Sequence, residues 1–241
     1  MIEYIDCLSL AEGLNDLTRI ILNGKSPLLC IAGQQRNAGD EMYVRGVKKD
    51  AARLGIRVTE DYVTDTDGVL LIGDRNFWKD FSLFKDLDVD GVTEYSPYVP
   101  AVTDAIREVL GSRMSFAGKT VTVVGRGWVG HSTAKMLLDL NATVAVAHSK
   151  TDHDSLAKLF AMSDAVVCAA NSGAKFSAGN LADGAILIDV SNSFEFDRIN
   201  EMEPRRIIAT PRKNGVGVVT RAVLLRRVAI NCLAKGSGTV C

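Results

Sequence analysis

An excess of charge of either sign is missing from this sequence: 28 lysines and arginines stand against 29 aspartates and glutamates, for a net charge of −1. No basic field is offered to nucleic acid or to an anionic membrane surface, so a small-molecule partner is favoured. Long hydrophobic runs are missing too: no stretch reaches the roughly 18 apolar residues that a spanning helix needs. The opening MIEYIDCLSL carries Glu3 and Asp6 where a secretory leader needs basic and then apolar residues. Neither membrane spanning nor secretion is expected, and a cytoplasmic location is. Cysteine is sparse. Cys7, Cys30, Cys168, Cys232 and Cys241 are odd in number, widely spaced and mostly inside apolar runs, which fits reduced core thiols rather than a disulfide framework or a zinc site. No metal site is expected. Internal repeats and low-complexity segments are absent as well.

What the sequence does have is 241 residues with 47% hydrophobic content, enough for one large core or two smaller ones. Apolar runs rich in Val, Ile and Leu recur between helical patterns at 27–33, 56–63, 68–73, 120–125, 142–147, 164–170, 185–190 and 206–210. Such continuous runs alternating with helices predict α/β architecture, with parallel sheets covered on both faces. The stretch GSRMSFAGKT (111–120) interrupts the pattern with Gly, Ser and charge, and suggests a domain boundary. The expected organisation is an N-terminal α/β domain over 1–112, a Rossmann-type domain over 113–217 and a C-terminal helix over 218–241 that packs back on the first domain. That helix reads as amphipathic, with Val219, Val223, Leu224, Ala229 and Cys232 on one side and Arg221, Arg226 and Arg227 elsewhere.

The segment TVTVVGRGWVGHSTAKMLLDLNATVAVAHSK (120–150) reads as strand, G-x-G-x-x-G, helix, strand, within the ~30 residues of a dinucleotide fingerprint. Gly125 turns the chain, Gly127 admits a pyrophosphate against the backbone, and Gly130 lets helix approach strand. Arg126, Trp128 and Val129 complete the loop, and the helix N-terminus faces the phosphates. At the end of the second strand, an acidic residue would pair with a ribose 2′-hydroxyl and repel a 2′-phosphate. The residues there are His148, Ser149, Lys150 and Thr151. Donors and positive charge suit a phosphate, so NADP is the expected cofactor, and Asp152 keeps NAD open.

At this point the sequence resembles the methylenetetrahydrofolate dehydrogenase/methenyltetrahydrofolate cyclohydrolase family, the bifunctional enzymes of one-carbon folate metabolism. GKTVTVVGRGWVGHSTAKMLLDLNATVAVAHSKT (118–151) is similar to that family's G-K-x-x-x-V-V-G-R-S-x-x-V-G segment and its continuation N-A-T-V-x-x-x-H-S-x-T, with one residue fewer in the loop. TPRKNGVGVVTRAVLL (210–225) is similar to T-P-V-P-G-G-V-G-P-M-T-x-x-x-L-L and keeps Thr210, Pro211, Gly215, Gly217 and Thr220. Gly215 and Gly217 also permit close backbone approach, with a helix beginning directly after them. DVDG (88–91) matches K-D-V-D-G, although D-x-D-G is by itself a common turn.

The resemblance implies roles for particular residues. Tyr43, in YVRGVKKDAARLGI (43–56), corresponds to the family's active-site Tyr and would position substrate. Asp90 would hold the folate ring, and Gly215, Gly217 and Thr220 would lie beside the substrate. The family's catalytic Lys falls on Val47, its essential Gln falls on Ile72, its L-P-L-P is absent, and its P-C-T-P-x-G reads PYVPAV (97–102). Without that Lys, methenyl hydrolysis should be lost, whereas hydride transfer depends mainly on placing substrate against cofactor. The expected protein is therefore a homodimeric, NADP-dependent 5,10-methylenetetrahydrofolate dehydrogenase without cyclohydrolase activity, its folate-type substrate held in a cleft between two domains. Two alternatives stand beside it: a catalytically silent relative that binds NAD(P) and folate in a regulatory role, and a dehydrogenase retargeted to another substrate through the rebuilt segment from Gly73 to Val102.

Overall fold

The computed structural model describes residues 1–33, 37–61, 63, 65–84, 86–170, 173, 175–195 and 205–236. Cys241 and Tyr62, which sequence reading places among the reduced thiols and in a strand, lie outside them. The chain forms two compact units, one of residues 1–8 with 105–218 and the other of residues 9–104 with 219–241. Among the described residues no helix is long and apolar enough to cross a membrane.

In chain order the elements begin with β1 (Ile2–Tyr4), α1 (Cys7–Leu22), β2 (Leu28–Ala32), α2 (Ala38–Leu54), β3 (Arg57–Thr59) and β4 (Gly68–Leu71). The short α3 (Arg75–Trp78) and α4 (Ala101–Gly111) follow, then β5 (Thr120–Val124), α5 (Trp128–Asp139), β6 (Thr143–Ala147), α6 (His153–Met162) and β7 (Ala165–Cys168). The remainder is β8 (Phe176–Ser177), β9 (Ile186–Asp189), β10 (Phe194–Glu195), β11 (Ile207–Ala209) and α7 (Val216–Gly236). All eight apolar runs picked out in the sequence contain a strand.

The first unit carries a six-stranded sheet in the order β1-β11-β9-β7-β5-β6, every adjacent pair parallel. Its central strands are mostly apolar because both faces are covered: Val121, Val123, Val166, Val167, Leu187 and Ile188 are all 0% exposed, and the buried Thr122 shares a hydrogen bond with Ser163. Phe160, Phe176 and Phe194 pack against one another beneath one face, with ring centroids 5.4 to 6.1 Å apart. Strand order reverses at β5, with β6 on one side and β7 on the other, which creates a topological switch point.

The second unit carries the parallel sheet β3-β2-β4. Helix α2 links β2 to β3. Asn37 caps its N-terminus, accepting from the amides of Gly39 and Asp40 while the Asp40 carboxylate accepts from the Asn37 amide. This capping box and the left-handed Gly55 (φ +74°) at the other end fix its limits. The helix buries Val44, Val47, Ala51 and Leu54.

Three expectations are corrected. β3 stops at Thr59 rather than Val63, because it is an edge strand whose ladder with β2 ends there, at the polar TED. α7 starts at Val216 rather than Val218, directly after the positive-φ Asn214 and the tight Gly215. Third, the packed side of α7 is wider than expected: with Val219, Val223, Leu224 and Ala229, Leu225 and Val228 are buried too, and Arg227, read as lying elsewhere on the helix, is buried with them at 3%.

Candidate active site

The glycine loop joins β5 to α5 at the carboxyl end of the switch point. Gly125 has φ +109°, and a Cβ there would stand 2.9 Å from the carbonyl oxygen of Ala169, just after β7. A Cβ on Gly130 would come within 1.9 Å of the Gly125 carbonyl oxygen, so any side chain would push α5 off the loop. Gly127 differs: it is the N-cap of α5, has no side-chain capping bond, and a Cβ there would meet nothing within 4 Å. Open space therefore faces first-turn amides to which the N-cap offers no acceptor, which is the environment an anionic pyrophosphate requires. Arg126 beside it is exposed, whereas Trp128 and Val129 are half-buried in the first turn.

At the end of β6 the chain closes a tight turn. The His148 amide donates to Thr151 Oγ1 at 3.0 Å, the Thr151 amide donates to the His148 carbonyl at 2.8 Å, and the Lys150 amide donates to His148 Nδ1 at 3.1 Å. Ser149 and Lys150 are left exposed at its tip. Asp152 is committed elsewhere, capping α6 by accepting from the Ser155 amide at 2.8 Å, and that bond is the main reason its carboxyl sits below the usual range.

In the second unit, the two aspartates of DVDG have different work. Asp88 is 0% exposed and accepts from the amides of Asp90, Gly91 and Thr93 at 3.2, 2.9 and 2.7 Å, so it builds the loop. The Asp90 carboxyl is free of that task. Burial, reinforced by the negative Asp88 and opposed by Arg227, lifts it to about 7. Tyr43 brings its hydroxyl from α2 into the same field. Its Oη is buried and makes no hydrogen bond, and burial together with the charge of Asp90 pushes the phenol well above its ordinary value, against the pull of Arg221 and Arg227. A buried hydroxyl without a partner is costly.

The base implied by resemblance is replaced by apolar side chains. Val47 is 0% exposed and Ile72 is 5% exposed. Lys48 is exposed and ion-paired with Glu60. Ile72 lines a cavity of about 630 Å³ together with Ala32, Gly33, Glu60, Asp74, Phe77 and Trp78, at the carboxyl ends of β2, β3 and β4. Trp78 is held there by its Nε1, which donates to the Ile72 carbonyl at 3.0 Å.

The 210–220 segment supplies the remaining candidates. In the first unit a Cβ on Gly215 would stand 2.2 Å from the Pro211 carbonyl oxygen, whereas one on Gly217 would meet nothing within 4 Å. Thr220 is 6% exposed in the second unit's part of α7. Arg221, Arg227, Phe77 and Trp78 were not singled out by sequence reasoning. The signal for Arg227 was present, since it is embedded in the apolar run VLLRRVAI, yet pattern reading assigns such a residue to the solvated side of a helix.

A parallel sheet with a glycine loop at its switch point defines an α/β protein of the dinucleotide-binding class. Residues 100–235, more than half of the chain, match the family described as "Tetrahydrofolate dehydrogenase/cyclohydrolase, NAD(P)-binding domain". The chain belongs to the tetrahydrofolate dehydrogenase/cyclohydrolase family. It is 33% identical over 161 residues to the bifunctional protein FolD of Nocardia farcinica, a match covering 59% of this chain and 56% of that protein. It is 29% identical over 265 residues to the bifunctional protein FolD of Thermotoga petrophila, covering 93% of this chain and 96% of that one. The fold is also that of a 5,10-methylenetetrahydrofolate dehydrogenase from the silkworm Bombyx mori, with a TM-score of 0.81 at 20% identity over 98% of this chain and 100% of that chain.

Proposed function

We propose that this chain is an NADP-dependent 5,10-methylenetetrahydrofolate dehydrogenase without methenyltetrahydrofolate cyclohydrolase activity. The observation that carries the reading is the buried, unpartnered Tyr43 hydroxyl in the field of Asp90, with the aliphatic Val47 one helical turn along α2. Oxidation of the methylene bridge removes a hydride from the substrate carbon and leaves a methenyl cation, so a protein can promote it by position alone. Hydrolysis of that cation needs a general base, and Val47 cannot act as one. Tyr43 orients the substrate through its hydroxyl. Asp90, titrating at about 7, holds the ring as donor or acceptor according to its protonation. Gly217 leaves room beside the substrate, Thr220 lies next to it, and Gly215 holds the tight loop from Pro211 that leads to them.

The glycine loop fits a dinucleotide, because Gly127 leaves open space before the α5 amides and neither Gly125 nor Gly130 tolerates a side chain. The bound nicotinamide would supply the hydride acceptor. Arg126, His148, Ser149 and Lys150 would face the adenosine ribose, and the engagement of Asp152 as a helix cap favours the 2′-phosphate of NADP. Comparing hydride transfer from methylenetetrahydrofolate to NADP and to NAD tests this reading. We place the protein in the cytoplasm as a homodimer, for which light scattering would give twice the 26.0 kDa chain mass and a monomer mass would argue against. The cavity walled by Phe77 and Trp78 favours one second reading, a dehydrogenase whose substrate has changed; efficient oxidation of a substrate other than the folate would select it.

A further inference from the structure

Arg227 sits on α7 with only 3% of its side chain exposed. Burying a guanidinium costs several kcal/mol unless its donors are used and its charge is met. Its Nη1 donates to the Val89 carbonyl at 2.8 Å, its Nη2 donates to Asp104 Oδ2 at 2.5 Å, and its Cζ lies over the Tyr98 ring, 4.7 Å from the centroid. The Tyr98 hydroxyl in turn donates to Asn231 Oδ1 at 2.6 Å, one turn further along α7. Joining α4 to α7 would have needed only the pair with Asp104. The bond to Val89 is different, because that carbonyl belongs to the residue immediately before Asp90. The loop's return is fastened too, since the Ala101 amide at the start of α4 donates to the Asp90 carbonyl at 2.9 Å.

We propose that Arg227 is the positioning residue of this site: its fork, fixed between Val89 and Asp104, sets the place of Asp90 and supplies the positive charge that Asp90 and Tyr43 face. The proposal rests on the reading of Asp90 as a substrate-holding group and adds a residue to it. The charged and titratable groups around Asp90 come from four places. Asp88 lies on its own loop, Tyr43 on α2, and Arg227 on α7, while Asp104 acts from α4 through Arg227. Arg221, also on α7, bears on Tyr43 and is paired with Asp50 at 2.7 Å. Burial and Asp88 favour a protonated Asp90, and Arg227 opposes them. Removing the guanidinium should leave Asp90 protonated to higher pH.

The test is a carboxyl-carbon NMR titration of Asp90 in the ligand-free full chain, assigned with Asp90→Asn. Asp90 should titrate near 7 in the unmodified protein. Arg227→Gln, which keeps a polar amide and loses the charge, should raise the midpoint by about one pH unit, and Arg227→Met should do the same where it folds. Arg227→Lys restores charge without the fork and should return the midpoint toward 7. Tetrahydrofolate affinity should fall about tenfold in Arg227→Gln, with its pH dependence following the new midpoint. An unmoved midpoint in folded Arg227→Gln would overturn the role of Arg227. Failure of the unmodified chain to bind tetrahydrofolate would instead overturn Asp90 as a substrate contact, so the two failures can be told apart.

Discussion

The α-carbon of Gly130 approaches the carbonyl oxygen of Gly125 so closely that a Cβ on Gly130 would stand 1.9 Å from it. Backbone against backbone leaves no flexible atom to yield. Gly130→Ala should therefore destabilise the protein by about 2 kcal/mol or more, read as a lower denaturant midpoint. A Cβ on Gly127 would meet no protein atom within 4 Å, so the loss of stability in Gly127→Val should stay within about 1 kcal/mol while nicotinamide dinucleotide binding disappears. Retained binding in folded Gly127→Val would show that the pyrophosphate lies elsewhere.

Lys150→Ala and Arg126→Ala should each weaken NADP by about ten- to a hundredfold and leave NAD almost unchanged, because a charge-assisted bond to the 2′-phosphate is worth about 1.5–3 kcal/mol. Titration calorimetry with both nucleotides reads the difference. Equal losses would mean that neither side chain reads the phosphate.

The strand, glycine loop and helix of 120–139 were legible in the sequence because they depend on local chemistry: glycine spacing beside a Val-rich strand. Strand β1 was not legible. Three residues carry no period, and Ile2 enters the sheet only by pairing with Ile207, far along the chain. The same limit applied to Arg227, whose partners Val89 and Asp104 are distant in sequence, and to the cavity wall of Phe77 and Trp78. Motif matching could place Asp90 in a loop. It could not show that Asp88 builds that loop and leaves Asp90 available.

Asp90 makes stability depend on pH in a defined direction. Its folded value of about 7 lies above the ordinary aspartate value of 3.8, so the folded state binds the proton more tightly than the unfolded one. Its contribution is fully present below about pH 4 and is lost as pH rises through 7. Asp90→Asn removes the penalty of a buried charge and should stabilise the protein at pH 8, on the order of 2 kcal/mol, with no gain at pH 4. Denaturant melts at the two pH values check this, and an equal effect at both would contradict it.

Val47→Lys should not rescue hydrolysis. Position 47 is 0% exposed and Ile72 is aliphatic, so the ammonium would be buried in apolar surroundings, at a cost of about 3 kcal/mol in stability. Val47→Lys with Ile72→Gln supplies a polar partner and should recover hydrolysis above background, followed by loss of the methenyl chromophore. Strong hydrolysis by the unmodified chain would mean that another group is the base.

Hydride transfer at a site without a lysine is the proposal on which the rest depends. Its most direct test is stopped-flow formation of reduced nicotinamide from methylenetetrahydrofolate and NADP, with the methenyl product followed in the same trace. The expected result is reduced NADP and methenyl product appearing together in equal amounts, the product then decaying only at its spontaneous rate. A chain that binds both ligands and forms no reduced nicotinamide with either NADP or NAD would contradict the claim.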